Sequence, residues 1–169
     1  MSNWLTPDYM FRTYREVTPA FLQSIGVRAL LMDIDNTLAP YEQPEPDEAI
    51  KGWLAAMQEA GIGLAFISNN DRERVERFNR DLGLLAYWKS GKPFRRSLVD
   101  AMTTLNVTVG QTAILGDQLL TDALAGKHIG LQAIIVPPIK DKTSAFFRFK
   151  RWCEKPFIRK FKKKHNITW

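Results

Sequence analysis

An apolar run from Val27 through Met32 ends on two carboxylates, Asp33 and Asp35, followed by Asn36-Thr37-Leu38. Near-continuous hydrophobicity is the mark of a strand buried on both faces of a parallel sheet, and such sheets bind ligands beyond the carboxyl ends of their strands. Two acids two residues apart point the same way on extended backbone. As the chain turns at Asn36-Thr37, both can converge on one site. Carboxylates that close repel each other unless a cation lies between them or one is protonated. The plainer alternative is a strand closed by an Asx-type turn, for which Asp and Asn are ordinary residues. The nonamer Leu30–Leu38 does not choose between the two.

The rest of the chain supplies the context. Residues 1–26 read as a leading segment with short helices: Thr18 caps a helix that Pro19 opens, and Gly26 closes it. Pro46-Asp47-Glu48 opens a helix to about Ala60, and Gly63–Ile67 is a second strand that finishes at Ser68-Asn69-Asn70. Asn70 is expected to cap the charged helix from Asp71 to Leu82, whose faces read as solvated. Gly83 to Trp88 is a weaker third strand, and Pro93 is expected to start a helix to Leu105. Thr112–Leu115 leads into Gly116-Asp117, and Leu131–Val136 is stopped by Pro137-Pro138. Strands and helices alternate, so the expected fold is α/β, a doubly wound, mainly parallel five-stranded sheet with right-handed crossovers. Residues 1–139 make one domain and 140–169 a basic, aromatic helix and tail.

Composition narrows the class. A chain of 169 residues with 45% hydrophobic and 25% charged side chains can bury a proper core. Its apolar stretches are too short to span a bilayer, and residues 1–10 lack the apolar core of a secretory signal. Cys153 is alone, which excludes an internal disulfide and suits a reducing cytoplasm. His128 and His165 have no metal-ligand spacing. Net charge is unevenly placed: residues 140–169 hold eleven Lys and Arg against two acids, whereas residues 1–139 are mildly acidic. That asymmetry points to an anionic partner surface, lipid or nucleic acid.

The polar residues fall at strand ends. Asp33 and Asp35 follow the first strand, Ser68-Asn69-Asn70 the second, and Gly116-Asp117 the fourth, with Lys92 in a loop on the same edge. Together they suit phosphoryl transfer. A carboxylate can attack phosphorus through an aspartyl-phosphate, three acids can hold Mg²⁺, and a lysine offsets the remaining charge. Ser68 and the backbone N–H groups after Asp33 and Ser68 can bind phosphate oxygens. Lys89 lies close to Lys92 in sequence and is the competing candidate for the catalytic lysine.

Asp33-x-Asp35-x-Thr37, Ser68, Lys92 and Gly116-Asp117-x-x-x-x-Asp122, in that order over residues 27–136, resemble the four motifs of the haloacid dehalogenase (HAD) phosphatase superfamily. The resemblance implies that Asp33 is the nucleophile and Asp35 the general acid/base, its backbone carbonyl also reaching the metal. Ser68 would bind the phosphoryl group, with Asn36, Thr37, Asn69 and Lys92 completing the phosphate-binding set. Lys92 would stabilise the nucleophile and transition state. Asp33, Asp35 and Asp117 would hold Mg²⁺, Gly116 and Asp122 supporting them. The superfamily's cap domain has no room here, so the site is expected to be open, as in subfamily IIIA. More narrowly, the Thr-Pro-x-Phe-Leu opening, Asp-x-Asp-Asn-Thr-Leu, Ser-Asn-Asn, Lys-Pro and Gly-Asp-Gln-x-x-Thr-Asp resemble the bacterial YqeG-type family. Related mitochondrial enzymes dephosphorylate phosphatidylglycerophosphate, and the resemblance implies that substrate.

From Ser144, Phe146, Phe149 and Trp152-Cys153 recur at helical spacing among Arg148, Lys150, Arg151 and Lys155. Phe157, Ile158 and Phe161 follow Pro156, set among further bases. A basic amphipathic helix with aromatics reads as a membrane-surface element over residues 144–164, peripheral to the inner face of the membrane. A helix packed onto the domain, with a solvated tail, is the plainer alternative. Three functions follow: a Mg²⁺-dependent phosphatase of a membrane lipid, a phosphatase of a soluble sugar or nucleotide phosphate, or an RNA- or ribosome-binding module on the same scaffold.

Overall fold

The computed structural model describes residues 4–140 and 144–169; Met1 to Asn3 of the leading segment and Asp141, Lys142 and Thr143 of the tail lie outside the described residues. Six strands, β1 (Tyr9–Met10), β2 (Ala29–Met32), β3 (Gly63–Ile67), β4 (Leu85–Tyr87), β5 (Thr112–Gly116) and β6 (Gln132–Ile135), form one sheet. Their order is β1-β6-β5-β2-β3-β4, and every pairing is parallel. Helices α1 (Pro19–Ser24), α2 (Glu48–Glu59), α3 (Arg72–Asn79), α4 (Arg96–Leu105), α5 (Leu124–Ile129) and α6 (Ala145–Lys164) cover it.

Period-two alternation splits the core between the two faces. Leu30, Met32, Phe66 and Leu115 pack with Leu54, Met57 and Phe78 of α2 and α3. Leu31, Ile67 and Ile114 face the other way, against Leu98 of α4 and Ala125 of α5. The central strand β2 is buried along its whole length, its Leu31 in register with Ala65 on one side and Ile114 on the other. That position explains its unbroken hydrophobicity.

The sheet has six strands where five were expected. The extra one, β1, lies in the leading segment and spans only two half-buried residues, too short for a periodic signal. It is held at the edge of β6 by Asp8, whose N–H donates to the Ala133 carbonyl at 2.8 Å and whose carboxylate accepts from the Ala133 N–H at 2.7 Å.

Two helix starts also differ, and one helix continues through a proline. Asp71, rather than Asn70, caps α3, its carboxylate accepting from the Arg74 N–H at 3.0 Å. Helix α4 begins at Arg96 rather than Pro93, and the Lys92–Pro93 peptide is cis. Helix α6 runs twenty residues straight through Pro156. Proline lacks an N–H for the carbonyl four residues back, here that of Trp152. Both residues are exposed, so water can serve that carbonyl. Among the described residues no domain is inserted between β2 and α2 or between α3 and α4, which leaves the carboxyl edge of the sheet uncovered except by α6. No helix among the described residues is long and apolar enough to cross a membrane.

Candidate active site

The ends of β2, β3 and β5 bring the sequence-predicted acids and Lys92 together. Asp33 lies just past β2, its N–H still in the ladder to the Leu115 carbonyl at 2.9 Å. Asp117 follows β5 directly. One carboxylate oxygen each from Asp33, Asp117 and Asp122 lies within 4.8 Å of the others, and all three residues are buried. Lys92 Nζ reaches in from the loop before α4, 2.6 Å from Asp122 Oδ1 and 3.1 Å from Asp33 Oδ1. Lys89, by contrast, is exposed and uses its backbone N–H on the Asn70 carbonyl.

Lys92 is held there by Asn69. The Asn69 amide donates to the Lys92 carbonyl at 3.0 Å, while its oxygen accepts from the Lys92 N–H and the Ser90 hydroxyl, both at 2.8 Å. The side chain of Asn69 therefore positions the lysine loop, and the expected phosphate contact of this residue is left to its backbone N–H. Asn36 likewise ties loops together. It sits at φ 64°, the left-handed region that asparagine tolerates. Its carbonyl accepts from the Ile139 N–H and its side chain from the Lys140 N–H. Thr37 donates its hydroxyl to Asp117 at 3.3 Å. Ser68, buried at the end of β3, accepts from the Asn70 N–H at 3.1 Å.

Asp35 is placed differently from Asp33. Its carboxylate stands outside the three-acid cluster, gripped by Arg74 through Nε at 3.0 Å and Nη2 at 2.9 Å, and by the Asn70 amide at 2.9 Å. Its side chain therefore lies apart from the acids that could hold a metal. Both Arg74 nitrogens donate to Oδ1 and the Asn70 amide to Oδ2, so both carboxylate oxygens are engaged within the protein. To serve as an acid, Asp35 must leave Arg74 for the cavity it lines. Arg74 lies on the helix read as a solvated face, and charge alone gave no sign that it turns inward.

Gly116 and Asp122 are fitted to each other. A Cβ on Gly116 would stand 2.2 Å from Asp122 Cγ and 2.4 Å from its Cβ. Asp122 lies in a π-helical turn, Leu119–Ala123, that bends its side chain back over β5. Gly116→Ala is expected to destabilise the fold by roughly 1–3 kcal/mol, the usual result of overpacking. It should also push Asp122 off Lys92 and depress turnover. Urea unfolding beside a phosphate-release assay checks both.

Helix α6 closes one side of the site. The Arg151 guanidinium pairs with Asp117 Oδ2 and donates to the Asp117 carbonyl at 2.5 Å. Glu154, 1% exposed, accepts from Arg151 at 3.2 Å and from the Leu120 N–H at 3.0 Å. Lys150 Nζ donates to Gln118 at 2.7 Å. A cavity of about 350 Å³ results, lined by Asp33, Asp35, Ser68 and Lys92 from the sheet edge and by Phe147 and Lys150 from α6. Sequence reasoning missed Arg74, Lys150, Arg151 and Glu154 as parts of this site.

Burial pushes Asp33 up to about 8, with Lys92 opposing and Asp122, Asp117 and Asp35 reinforcing the rise. Burial also pushes Asp117 up to about 6 against the pull of Arg151. Lys92 moves the other way from what burial dictates: desolvation lowers it, but Asp122 and Asp33 together hold it above its ordinary value. Three buried carboxylates with Lys92 and Arg151 as their cations suit a hard divalent ion. Asp122 uses Oδ1 on Lys92 and Oδ2 on the Gln118 N–H, and Asp117 uses Oδ1 on Thr37 and Oδ2 on Arg151, so an ion held by Asp33 and Asp117 would have to displace the Arg151 guanidinium.

Since Asp33 and Asp117 hold protons more tightly folded than unfolded, the metal-free fold loses stability as pH rises from the ordinary carboxylate range toward about 8. A divalent cation must displace those protons. Affinity for Mg²⁺ is therefore expected to rise between about pH 6 and about 8, with proton release detectable by calorimetry in buffers of different ionisation heat.

Comparisons with known proteins identify the family. The model of the haloacid dehalogenase-like hydrolase family matches residues 20–130. The probable phosphatase YqeG of Bacillus subtilis (strain 168) is 30% identical over 169 residues, all of this chain and 98% of that protein. Among solved structures, a putative 3-deoxy-D-manno-octulosonate 8-phosphate phosphatase from Vibrio cholerae superposes with a TM-score of 0.55 at 16% identity, over 89% of this chain and 92% of that one. A putative HAD-superfamily hydrolase of subfamily IIIA from Legionella pneumophila does so with a TM-score of 0.52 at 21% identity, over 69% and 70%. At those identities the two structures speak for the fold alone. The family match over most of the chain, with its acids and lysine gathered at one sheet edge, means that this chain belongs to the haloacid dehalogenase-like hydrolases.

Proposed function

We propose that this phosphatase of the haloacid dehalogenase type hydrolyses a lipid phosphomonoester, phosphatidylglycerophosphate, at a membrane surface through an aspartyl-phosphate on Asp33. The observation that carries the chemistry is the buried Lys92 ammonium 3.1 Å from Asp33 Oδ1 at the open edge of the sheet. It favours the carboxylate form of Asp33 that attack requires. An Asp33 oxygen bonds to phosphorus as the bond to the substrate's alkoxide breaks, and Asp35, having left Arg74 and taken up a proton from solvent, gives that proton to the alkoxide. Asp35 then takes a proton from the water that attacks phosphorus, and inorganic phosphate leaves. Ser68 and Lys92 bind the phosphoryl oxygens, while Asn69 and Asp122 position Lys92. A divalent cation, Mg²⁺ in this reading, would be held by Asp33, Asp117 and the Asp35 carbonyl and would neutralise phosphoryl charge.

Helix α6 supports the membrane part of the reading. Phe146, Phe149 and Trp152 are 67%, 61% and 67% exposed, one every three residues, with bases between them. Aromatics and bases on one helix suit an anionic interface. The resemblance to YqeG-type chains and their mitochondrial relatives supports phosphatidylglycerophosphate itself. A soluble phosphomonoester is the second reading, favoured by the small, polar-lined cavity over Asp33.

Phosphate release with Mg²⁺ from phosphatidylglycerophosphate in anionic vesicles, beside a panel of soluble phosphomonoesters, separates the two. The lipid is expected to exceed every soluble ester and to depend on Asp33. Turnover of soluble esters alone would remove the membrane from the account, and binding to RNA without turnover would replace the enzyme reading.

A further inference from the structure

Beneath α6, on the far side from the phosphoryl cavity, runs a second and larger space of about 900 Å³. Its floor is apolar, built from Met10, Ile135 and Pro138 at the β1–β6 edge, and Trp152 and Ile158 of α6 form its wall. Arg148, Lys155 and Lys162 stand around it, and the one acid among the described residues of its lining, Asp117, is already paired with Arg151. Arg148 and Lys155 make no ion pair among the described residues. That size falls within the range of small-molecule pockets, whereas a groove that served only to seat α6 would be filled by side chains.

We propose that this groove binds an acyl chain of an anionic phospholipid, the chain on the apolar floor and the headgroup among Arg148, Lys155 and Lys162. Charge complementarity selects the occupant: an apolar floor under three bases, of which Arg148 and Lys155 have no ion-pair partner among the described residues and Lys162 meets only the Trp169 carbonyl and ring, fits a molecule with a hydrocarbon tail and an anionic head. The exposed Phe149 and Trp152 continue the apolar surface outward, as a groove that receives a chain from a bilayer requires. The groove also touches the active site. Asp117 and its partner Arg151 both line it while Asp117 belongs to the three-acid cluster, so this ion pair is shared between the groove and the phosphoryl site. The inference rests on the reading that the substrate is a membrane lipid, and it supplies the place where such a substrate would be held outside the polar cavity.

The test uses the full chain and lysophosphatidylglycerol carrying a brominated acyl chain, below its micelle concentration, with indole quenching as the readout. Quenching is expected to saturate, to fall in Trp152→Phe but not in Trp88→Phe, and to shift to about tenfold higher lipid or more in R148E/K155E. Soluble-ester turnover by R148E/K155E should equal wild type, which shows that the variant is folded. Lysophosphatidylcholine should bind more weakly and inorganic phosphate should not displace the chain. Quenching indifferent to Trp152, unaltered affinity in R148E/K155E, or displacement by an acidic peptide in preference to lipid would each overturn the groove assignment. Binding with these properties but no hydrolysis of vesicle lipid would remove the lipid-substrate reading and leave the groove. Undiminished hydrolysis of vesicle lipid by R148E/K155E would do the reverse.

Discussion

Replacing Asp33 by asparagine is expected to lower phosphate release by about 10⁴-fold or more, and at the same time to make the metal-free protein more resistant to heat near pH 8. The two effects have one origin. Asp33 is buried among Asp117, Asp122 and Asp35, and burial with like charge pushes it up to about 8. Among the described residues two cations touch the cluster, Lys92 and Arg151, and they face three carboxylates. Asparagine removes the surplus negative charge, keeps the shape, and leaves Lys92 its shorter contact with Asp122 at 2.6 Å. An amide cannot attack phosphorus, so chemistry stops while the fold gains. The gain should shrink toward pH 5, where Asp33 in the wild type is protonated in any case. Scanning calorimetry across that range, with chelator present, reads the stability half of the prediction. A lower melting temperature for Asp33→Asn at pH 8 would mean that the cluster is not over-charged.

Lys92→Met carries the largest expected loss of stability. Methionine keeps the apolar stem and removes an ammonium whose side chain is 2% exposed and which touches Asp33 and Asp122. Breaking a buried pair from one side leaves uncompensated charge, which costs roughly 3–5 kcal/mol. Here two acids lose their partner, and Asp122 is wholly buried. The loss should be greatest near pH 8 and should diminish as pH falls and the orphaned Asp33 takes up a proton. Turnover is expected to drop about 10²–10³-fold even where the variant is folded, because the fixed cation beside the developing charge is gone. Urea midpoints at two pH values, with kcat measured under folding conditions, separate the two losses. A change below about 1 kcal/mol would mean that Asp33 and Asp122 find other donors.

The strands that hold the site were legible because they are buried on both faces, as β2 shows with four buried residues in a row. The acids were legible because each stands at the end of such a strand. What pairs with each acid was not. Arg74 lies in a helix charged along most of its length, and nothing in that pattern distinguishes the arginine that turns onto Asp35 from those that meet solvent. Arg151 belongs to a basic tract whose excess charge suggests an external anion, yet its own partners are Asp117 and Glu154 of this chain. Asn69 was read toward phosphate because it follows Ser68. Only the fold shows that its amide faces the lysine loop. Strand β1 went unseen because two residues carry no period. In each case the missing information is a long-range pairing, which local sequence does not encode.

The measurement that tests the central claim most directly is acid-quenched turnover with Mg²⁺ and substrate, followed by peptide mass analysis for a hydroxylamine-sensitive phosphoryl group. The account predicts one phosphoryl group on the peptide that contains Asp33, absent from Asp33→Asn and accumulating when Asp35 is replaced by asparagine. A phosphoryl group on another residue, or turnover that leaves none on Asp33 at any time, would contradict it.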